Sequence, residues 1–242
     1  MIPIKDTIWR TTNPSVTWTL IAVNTIIFII ESTLSQGALD HVCYLFGLVP
    51  ARYTHPEWAL SHHLSFDYYL SFFTNMFLHG GWLHLIGNMW FLCLFGRSVE
   101  DSTGHARFLA LYLVCGLAAS LTYFLVYPSA TAPALGASGA IAGVMGAYLV
   151  LFPRAKIMTL FFIPFLPLFV NLSAFVYLLY WFGLQVVSWA LSLSSPETGG
   201  GVAWWGHVGG FITGAVLVFF LRPEKLRRRK DYPDEKYRYI TG

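Results

Sequence analysis

Four polar residues lie in apolar stretches of the chain, where such side chains are costly to bury: His84, Asn88, Ser138 and His207. A serine hydroxyl becomes a nucleophile when a base accepts its proton, and histidine is the usual base. Ser138 opens an apolar run, so its backbone N–H is expected at a helix N-terminus, where an anion is favoured. These residue types predict Ser138 as nucleophile, His207 as general base and the Ser138 N–H as half of an oxyanion hole.

Two side chains are candidates for the remaining oxyanion donors. Asn88 lies one turn below His84 on the same face of a helix, and either could donate. A third, acidic member is not expected, because no Asp or Glu occurs between Asp101 and Glu197. The sequence therefore favours a Ser–His dyad whose imidazole is oriented by packing or by a neutral hydrogen bond.

The amino-acid composition indicates the environment in which most of the chain lies. Of 242 residues, 56% are hydrophobic and 11% are charged, and the mean hydropathy is +0.58, whereas a soluble domain carries about 25% charged residues. This excess of apolar surface predicts a membrane protein. The net charge of +3 is too small for a nucleic-acid-binding domain, and the three cysteines, Cys43, Cys93 and Cys115, do not make a disulfide framework.

Six apolar runs stand out against the roughly 20 residues that cross about 30 Å of hydrocarbon. They are Val16–Ile30, Trp82–Phe95, Phe108–Val126, Ser138–Phe152, Leu172–Leu193 and Val202–Leu221. The first is expected to be an anchor, since no Ala-x-Ala-like cleavage site follows it. Ile157–Val170 is also apolar, but Pro164 and Pro167 predict a short connection along the membrane instead of a seventh crossing.

Basic residues predict the orientation. With six crossings, 14 of the 15 Lys and Arg residues fall on the side of both termini, and only Arg52 falls on the other. We therefore expect cytosolic termini. The expected parts are a cytosolic segment (1–15), a membrane domain (16–221) with an outer loop (32–81), and a basic cytosolic tail (222–242). A short tail suits a bacterial inner membrane, and an organelle membrane is the alternative.

The predicted active residues share a depth. His84, Ser138 and His207 lie 13, 16 and 15 residues before the arginine that ends each run, or about 20, 24 and 22 Å along a helix. All three are thus expected roughly 6–10 Å below the outer surface of the hydrocarbon core. The uncharged, proline-containing connection Tyr127–Ala137 predicts a water-filled well above them.

Small residues predict that the helices carrying Ser138 and His207 pack closely side by side. They recur at every fourth position beside Ser138 and beside His207, namely Gly139, Gly143 and Ala147, and Gly206, Gly210 and Gly214. Such ladders let helix backbones approach closely. The hydroxyl and the imidazole are therefore expected to reach hydrogen-bond distance.

The outer loop carries an apolar stripe with helical spacing. Its members are Phe66, Tyr69, Leu70, Phe73, Met76 and Phe77. The stripe predicts a helix that lies in the outer leaflet or packs on the bundle.

Together these motifs resemble those of the rhomboid intramembrane serine proteases. The matching motifs are Gly136-Ala137-Ser138-Gly139 (GxSG), His84-Leu85-Ile86-Gly87-Asn88 (HxxxN), Gly206-His207-Val208-Gly209-Gly210 of the last helix, and Arg97-Ser98-Val99-Glu100 followed by Gly104. The match covers roughly Phe72 to Leu221.

The resemblance implies an all-α, six-transmembrane-helix rhomboid bundle with a long, partly membrane-embedded first outer loop. It implies Ser138 as nucleophile, His207 as base, and an oxyanion hole of the Ser138 backbone, His84 and Asn88. It further implies membrane-spanning protein substrates, cut in or near the bilayer without a metal or cofactor.

The chain departs from the family pattern in two places. The Trp-Arg pair that some members carry in the first outer loop is absent. Ala142 stands where some members have an aromatic residue that stacks on the histidine, so another side chain must hold His207. Trp204 and Trp205 are the candidates.

Three alternatives compete with a protease. A catalytically silent rhomboid-like binder of membrane helices predicts loss of the serine or the histidine, and both are present. A metal enzyme would need metal-ligand spacing, but His62 and His63 are adjacent and His79 and His84 are five apart, without an HExxH motif. A transporter would favour paired interrupted helices, which are not evident. Neither the substrate nor the oligomeric state is encoded in these patterns.

Overall fold

A computed structural model describes residues 1–65, 68–163, 166–192 and 204–221. The helices are α1 (Ser15–Ser32), α2 (Gln36–Phe46), α3 (Ala51–Thr54), α4 (Pro56–Ser61), α5 (Ser71–Thr74), α6 (Trp82–Phe91), α7 (Arg97–Thr103), α8 (His105–Val126), α9 (Ser138–Leu151), α10 (Ala174–Ser192) and α11 (Trp204–Leu221). The strands are β1 (Ile2–Asp6), β2 (Lys156–Ile163) and β3 (Leu166–Ser173). The predicted basic tail, Phe66, Pro164 and the ends of two predicted spans, Leu193 and Val202, lie outside the described residues.

The apolar runs predicted as membrane spans form helices. By length and composition, α1, α8 and α11 are long and apolar enough to cross a membrane, and α9 and part of α10 are shorter apolar helices. The second run forms α6, which continues through a π-helical turn (Leu92–Gly96) into α7. The described part of the chain is thus mostly helical, with three candidate membrane helices.

Helix α9 lies at the centre of the bundle. Every residue from Ala140 to Tyr148 is buried, because alanine and glycine let the flanking helices approach closely. At Gly143 a Cβ atom would overlap Cys115 of α8, and at Gly146 it would overlap the carbonyl oxygen of Phe211 of α11. Ser138, at the first position of α9, is therefore held by a tightly packed helix.

A three-stranded antiparallel sheet, ordered β1-β2-β3, corrects the all-α prediction. The described residues of the predicted connection Ile157–Val170 lie in the antiparallel strands β2 and β3, where Lys156 pairs with Ser173 and Ile163 with Leu166. The N-terminal segment adds β1, with Ile2 opposite Leu160. The connection is rich in β-branched and aromatic residues, which favour strands, but its partner in β1 is about 150 residues away.

Hydrogen bonds join the N-terminal segment to α7 and α9. The Asp6 carboxylate accepts hydrogen bonds from the Ser98 hydroxyl at 2.9 Å and from the Tyr148 hydroxyl at 3.0 Å. It also forms an ion pair with Arg10 at 2.5 Å. Asp101 accepts the backbone N–H of Thr12 at 2.6 Å. These contacts join the segment to the end of the bundle opposite the start of α9.

The outer loop folds onto the bundle. The predicted single helix over the apolar stripe is not formed: α5 is followed by a 3₁₀ turn (Asn75–Phe77). Asn75 is buried and bonds the carbonyl of Ser71 and the hydroxyl of Ser120. Met76 is buried against Gly116 of α8. Of the two predicted placements, the described part of the stripe therefore shows packing on the bundle at Met76, while Tyr69 and Leu70 are exposed.

Arg52, the one basic residue predicted on the outer side, is fully buried. Its Nη1 donates to the carbonyl of Leu45 at 3.0 Å, and its guanidinium lies over the ring of Tyr68 at 5.4 Å. The hydrogen bond ties α3 to α2, and the cation–π contact ties α3 to the segment before α5.

Candidate active site

Ser138 begins α9 at the end of a connection that backbone hydrogen bonds to the outer loop hold in place. Leu48 of the outer loop pairs with Ala134 in an antiparallel bridge. The N–H of Gly136 donates to the carbonyl of Asn75 at 2.9 Å. The Ser138 side chain is half-buried. Its N–H belongs to the first turn of a helix, where N–H groups lack intrahelical acceptors and the dipole favours negative charge.

His207 lies in the first turn of α11, against Ser138. The distance between its Nε2 and the Ser138 Oγ is 2.7 Å, and the imidazole is 9% exposed. Glycines make this approach possible: a Cβ atom at Gly210 would overlap the Gly139 carbonyl oxygen, and one at Gly214 would overlap the Gly143 carbonyl. The two ladders identified in the sequence thus meet backbone to backbone.

The other imidazole nitrogen has a partner that the sequence analysis missed. Nδ1 of His207 lies 2.8 Å from Oε1 of Gln185, a buried side chain of α10. No carboxylate contacts His207 in the described part of the chain. The signal that could have revealed Gln185 is the one that identified Asn88, since an uncharged polar side chain in an apolar run favours a specific hydrogen bond.

Aromatic rings surround the same imidazole. The ring of Trp181 in α10 lies 6.0 Å away, tilted by 40°, and the ring of Trp204 lies 6.2 Å away, edge-on. Trp204, one of two tryptophans predicted to hold His207, therefore contacts it. Trp181 and Trp204 therefore lie beside the imidazole in place of the aromatic residue that some family members carry at the position of Ala142.

His84 and Asn88 approach the same glycine of the Ser138 motif. Gly136 has a φ of +123°, and a Cβ atom there would lie 2.7 Å from Nε2 of His84 and 3.6 Å from Nδ2 of Asn88. Position 136 therefore requires glycine for two reasons: its positive φ, and the lack of room for a Cβ atom beside His84. The Gly80 N–H donates to Nδ1 of His84 at 3.4 Å, so Nε2 carries the ring proton and faces Gly136.

The amide of Asn88 is a second donor at this place. Asn88 is buried, and its Nδ2 has no acceptor among the described residues. This N–H group is therefore available to donate to an acceptor that enters the site. Together with Nε2 of His84 and the Ser138 N–H, it makes three N–H donors near Gly136.

A cleft of about 290 Å³ brings these groups together. One part of its lining is polar, with Ser138, His207, His84, Asn88 and Gln185. Apolar side chains of α6, α9, α10 and α11, including Phe91 and Trp204, form the rest. A second cavity of about 30 Å³, which is large enough to hold a water molecule, is lined in part by Ser138, Asn75 and Ser120.

The outer-loop histidines do not converge. His62 stacks on Trp58 at 4.2 Å, and His79 lies edge-on to His84 at 5.2 Å. Within the described ranges, no three His, Cys, Asp or Glu side chains are arranged to hold a metal ion.

Comparison with known proteins gives the family. Residues 67–224, about two thirds of the chain, match the model of the Rhomboid domain. The chain is 33% identical over 182 residues to Rhomboid protein 1, mitochondrial, of Saccharomyces cerevisiae, an alignment that covers 66% of this chain and 45% of the relative. It is 33% identical over 121 residues to Rhomboid-like protein 11, chloroplastic, of Arabidopsis thaliana, covering 50% and 40%.

A bacterial relative matches a shorter part. Rhomboid protease GluP of Bacillus subtilis is 42% identical over 76 residues, which are 31% of this chain and 14% of that protein. The chain therefore aligns with less than half the length of each of these three relatives. The domain match and the relatives agree with the motifs around Ser138 and His207, and the chain belongs to the rhomboid family.

Proposed function

We propose that the protein is an intramembrane serine endopeptidase that cleaves membrane-spanning proteins in or near the bilayer through a Ser138–His207 dyad. Rhomboid proteins are in general intramembrane serine proteases, and the family also includes inactive members. The observation that carries the proposal for this chain is the 2.7 Å contact between Ser138 Oγ and His207 Nε2 at a cleft.

Acylation follows from this contact. The Ser138 hydroxyl gives its proton to Nε2 of His207 as Oγ attacks the carbonyl carbon of the scissile peptide. The resulting imidazolium gives the proton to the leaving amine, the C–N bond breaks, and the acyl group stays on Oγ. No carboxylate is required, because Nδ1 already has an uncharged acceptor in Gln185.

The three N–H donors near Gly136 would hold the oxyanion of the tetrahedral intermediate. The Ser138 N–H is at a helix N-terminus, and Nδ2 of Asn88 has no acceptor of its own in the described structure. Donors that are fixed before reaction stabilise developing charge without reorganisation. This division of roles supports His84 and Asn88 as oxyanion residues.

Deacylation needs a water molecule beside Ser138. The 30 Å³ cavity lined by Ser138 and Asn75 has room for one. That water gives a proton to Nε2 of His207 while its oxygen attacks the acyl carbon. The imidazolium then returns this proton to Oγ as the acyl–Oγ bond breaks, and the product leaves as a carboxylic acid that ionises in water. Nothing in these steps calls for a metal or a cofactor.

The substrate class follows from the depth of the site. Helix α9 has 14 residues, or about 21 Å, which is shorter than a hydrocarbon core of about 30 Å. If its far end lies at the inner boundary, Ser138 lies beneath the outer surface of the bilayer. A peptide bond reaches that depth when its own chain enters the membrane, so the proposed substrates are membrane-spanning proteins.

We further propose six crossings, with both termini cytosolic. The crossings are α1, α6 with its π-helical turn to Gly96, α8, α9, α10 and α11. The distribution of Lys and Arg supports this orientation. A bacterial inner membrane is proposed as the location; the names of two relatives place them in mitochondria and chloroplasts, which makes an organelle membrane the alternative. A fluorescent protein fused after Gly242 is expected to fluoresce in bacterial cells, and a dark, translocated fusion would contradict the orientation.

The test is cleavage of a single-span substrate by purified protein in liposomes, with and without a chelator. Cleavage is expected to survive chelation and to vanish in Ser138→Ala and in His207→Ala, while Ser32→Ala, at the exposed end of α1, stays active. The competing function is a silent binder of membrane helices. Capture of the substrate without any cleavage by the wild type would favour the binder.

A further inference from the structure

Gln185 has no part in the bond-making steps above, yet it is the one described side chain that hydrogen-bonds Nδ1 of His207. We propose that Gln185 is a positioning residue, whose amide oxygen holds the imidazole in the tautomer that can accept the Ser138 proton. The inference rests on the proposed function, which it deepens by assigning the third member of the hydrogen-bonded chain.

A backbone carbonyl group of the same helix sets the orientation of the Gln185 amide. Its Nε2 donates to the carbonyl of Trp181, one turn earlier in α10, at 3.3 Å. The amide oxygen consequently faces His207 at 2.8 Å. An amide oxygen can only accept, so Nδ1 must carry the ring proton and Nε2 must present its lone pair to Ser138.

The aromatic rings around His207 do not determine which imidazole nitrogen carries the proton. Trp181 and Trp204 lie 6.0 and 6.2 Å from the imidazole. Such contacts limit the tilt of the ring, but they present no acceptor that would distinguish Nδ1 from Nε2. Without Gln185, the proton can move to Nε2, and that tautomer cannot accept a proton from the serine.

An uncharged acceptor suits this place. Gln185 is 6% exposed and lies in an apolar helix, where an ionised carboxylate would be costly. The amide sets the tautomer as a carboxylate does, but it stabilises the imidazolium less, because hydrogen bonds to charged acceptors are stronger. A glutamate at this position would still present an acceptor oxygen to Nδ1 and so keep the positioning role, although its carboxyl group is costlier to bury than the amide.

The same hydrogen bond joins two helices. The side chains next to Gln185 in α10 face away from the bundle: Leu184, Val186 and Val187 are all exposed. The buried residues Ala174, Tyr177 and Leu178 lie near the other end of the helix. The tautomer of His207 thus depends on α10 being docked at its outer half.

Three variants of the full chain in detergent test the proposal. Gln185→Leu keeps the size and removes the acceptor, Gln185→Glu keeps the acceptor, and Leu184→Ala is the matched control on the same helix. With a single-span substrate, Gln185→Leu is expected to lower kcat roughly ten- to a hundredfold, with KM within about twofold. Gln185→Glu is expected to recover kcat to within about tenfold of the wild type. Equal loss in the Leu and Glu variants would show a packing role and overturn the proposal.

A second measurement does not depend on proteolysis. The ¹⁵N NMR spectrum of histidine-labelled protein, with His207 assigned by its loss in His207→Asn, reports which ring nitrogen carries the proton. We expect an Nδ1–H signal in the wild type that shifts toward Nε2–H in Gln185→Leu. An Nε2–H signal in the wild type would overturn the proposal. If no cleavage occurs but the tautomer responds to Gln185, the proposed function fails while the positioning role stands.

Discussion

Glu100 closes the N-terminus of α1 through Thr17, from which it is separated by 83 residues in the chain. Its carboxylate accepts the Thr17 backbone N–H at 2.7 Å and the Thr17 hydroxyl at 2.6 Å. It also accepts the Val16 N–H at 2.9 Å and contacts Nδ1 of His105 at 2.6 Å. Because first-turn N–H groups have no intrahelical acceptor and favour an anion, this buried carboxylate fixes α1 to α7 and α8.

Glu100→Gln is therefore expected to lower the free energy of unfolding by about 1.5–3 kcal/mol, since an amide cannot accept this set of donors as a carboxylate does. The thermal unfolding midpoint in detergent measures the change. Glu57→Gln, at an exposed acidic position in the first turn of α4, is the control and should change stability by less than about 0.5 kcal/mol. Equal midpoints for both variants would contradict the capping role.

Asn88→Ala should slow the reaction without weakening substrate binding. Loss of one oxyanion donor lowers kcat by roughly 10²–10³, because the hydrogen bond forms fully only in the transition state. Steady-state kinetics on a single-span substrate give the result, with Asn171→Ala on the exposed face of β3 as control. A raised KM at unchanged kcat would place Asn88 in substrate binding instead.

Gly214→Ala should separate α11 from α9. The added Cβ would overlap the backbone of Gly143, which cannot move aside as a flexible side chain can, so we expect a loss of about 1–3 kcal/mol together with reduced cleavage. Gly183→Ala in α10 is the matched control, because nothing lies within 4 Å of its added Cβ. The control should gain up to about 1 kcal/mol from helix propensity. Similar unfolding midpoints and cleavage rates for the two variants would show that the close approach is unimportant.

Burial of His79 should make stability depend on pH. Burial, with a smaller contribution from His84, lowers the pKa of His79 from 6.5 to about 4, and Glu31 accepts its backbone N–H. Between pH 6.5 and 4 the unfolded chain binds the proton more readily than the folded one. The contribution of neutral His79 to the free energy of unfolding is therefore fully present above pH 6.5. It is lost as the pH falls, by up to about 2 kcal/mol at pH 5.

Unfolding midpoints at pH 7 and pH 5 measure this loss. On going from pH 7 to pH 5, His79→Gln should lose less stability, or gain more, than the wild type does, by about 2 kcal/mol. His62→Gln, an exposed histidine of the same loop, should keep the wild-type difference. An unchanged pH dependence in His79→Gln would contradict burial of a neutral imidazole.

The shared depth and the glycine ladders were enough to predict that Ser138 and His207 approach each other. Both features are local patterns on single helices, and helix geometry converts them directly into position. The family match was likewise carried by short motifs around these two residues. Their catalytic roles stay a prediction, as do those of His84 and Asn88.

Gln185 and the sheet were missed for different reasons. Gln185 lies in an apolar run whose buried face is set by how α10 packs, which the weakly amphipathic sequence does not specify. Strand β1 forms because residues 2–6 meet the hairpin of residues 156–173, a long-range pairing without a local signal. In the outer loop, Asn75 bonds Ser71 and Ser120, so tertiary contacts replace the single helix that the apolar spacing predicts.

The central claim is that Ser138 is a nucleophile activated by His207 in an accessible cleft. Labelling with a fluorophosphonate probe, mapped by mass spectrometry of the purified protein, tests it most directly. We predict modification of Ser138 in the wild type and in Ser32→Ala, and loss of labelling in His207→Ala. An unmodified Ser138 in the wild type, or labelling at the wild-type rate in His207→Ala, would contradict the account.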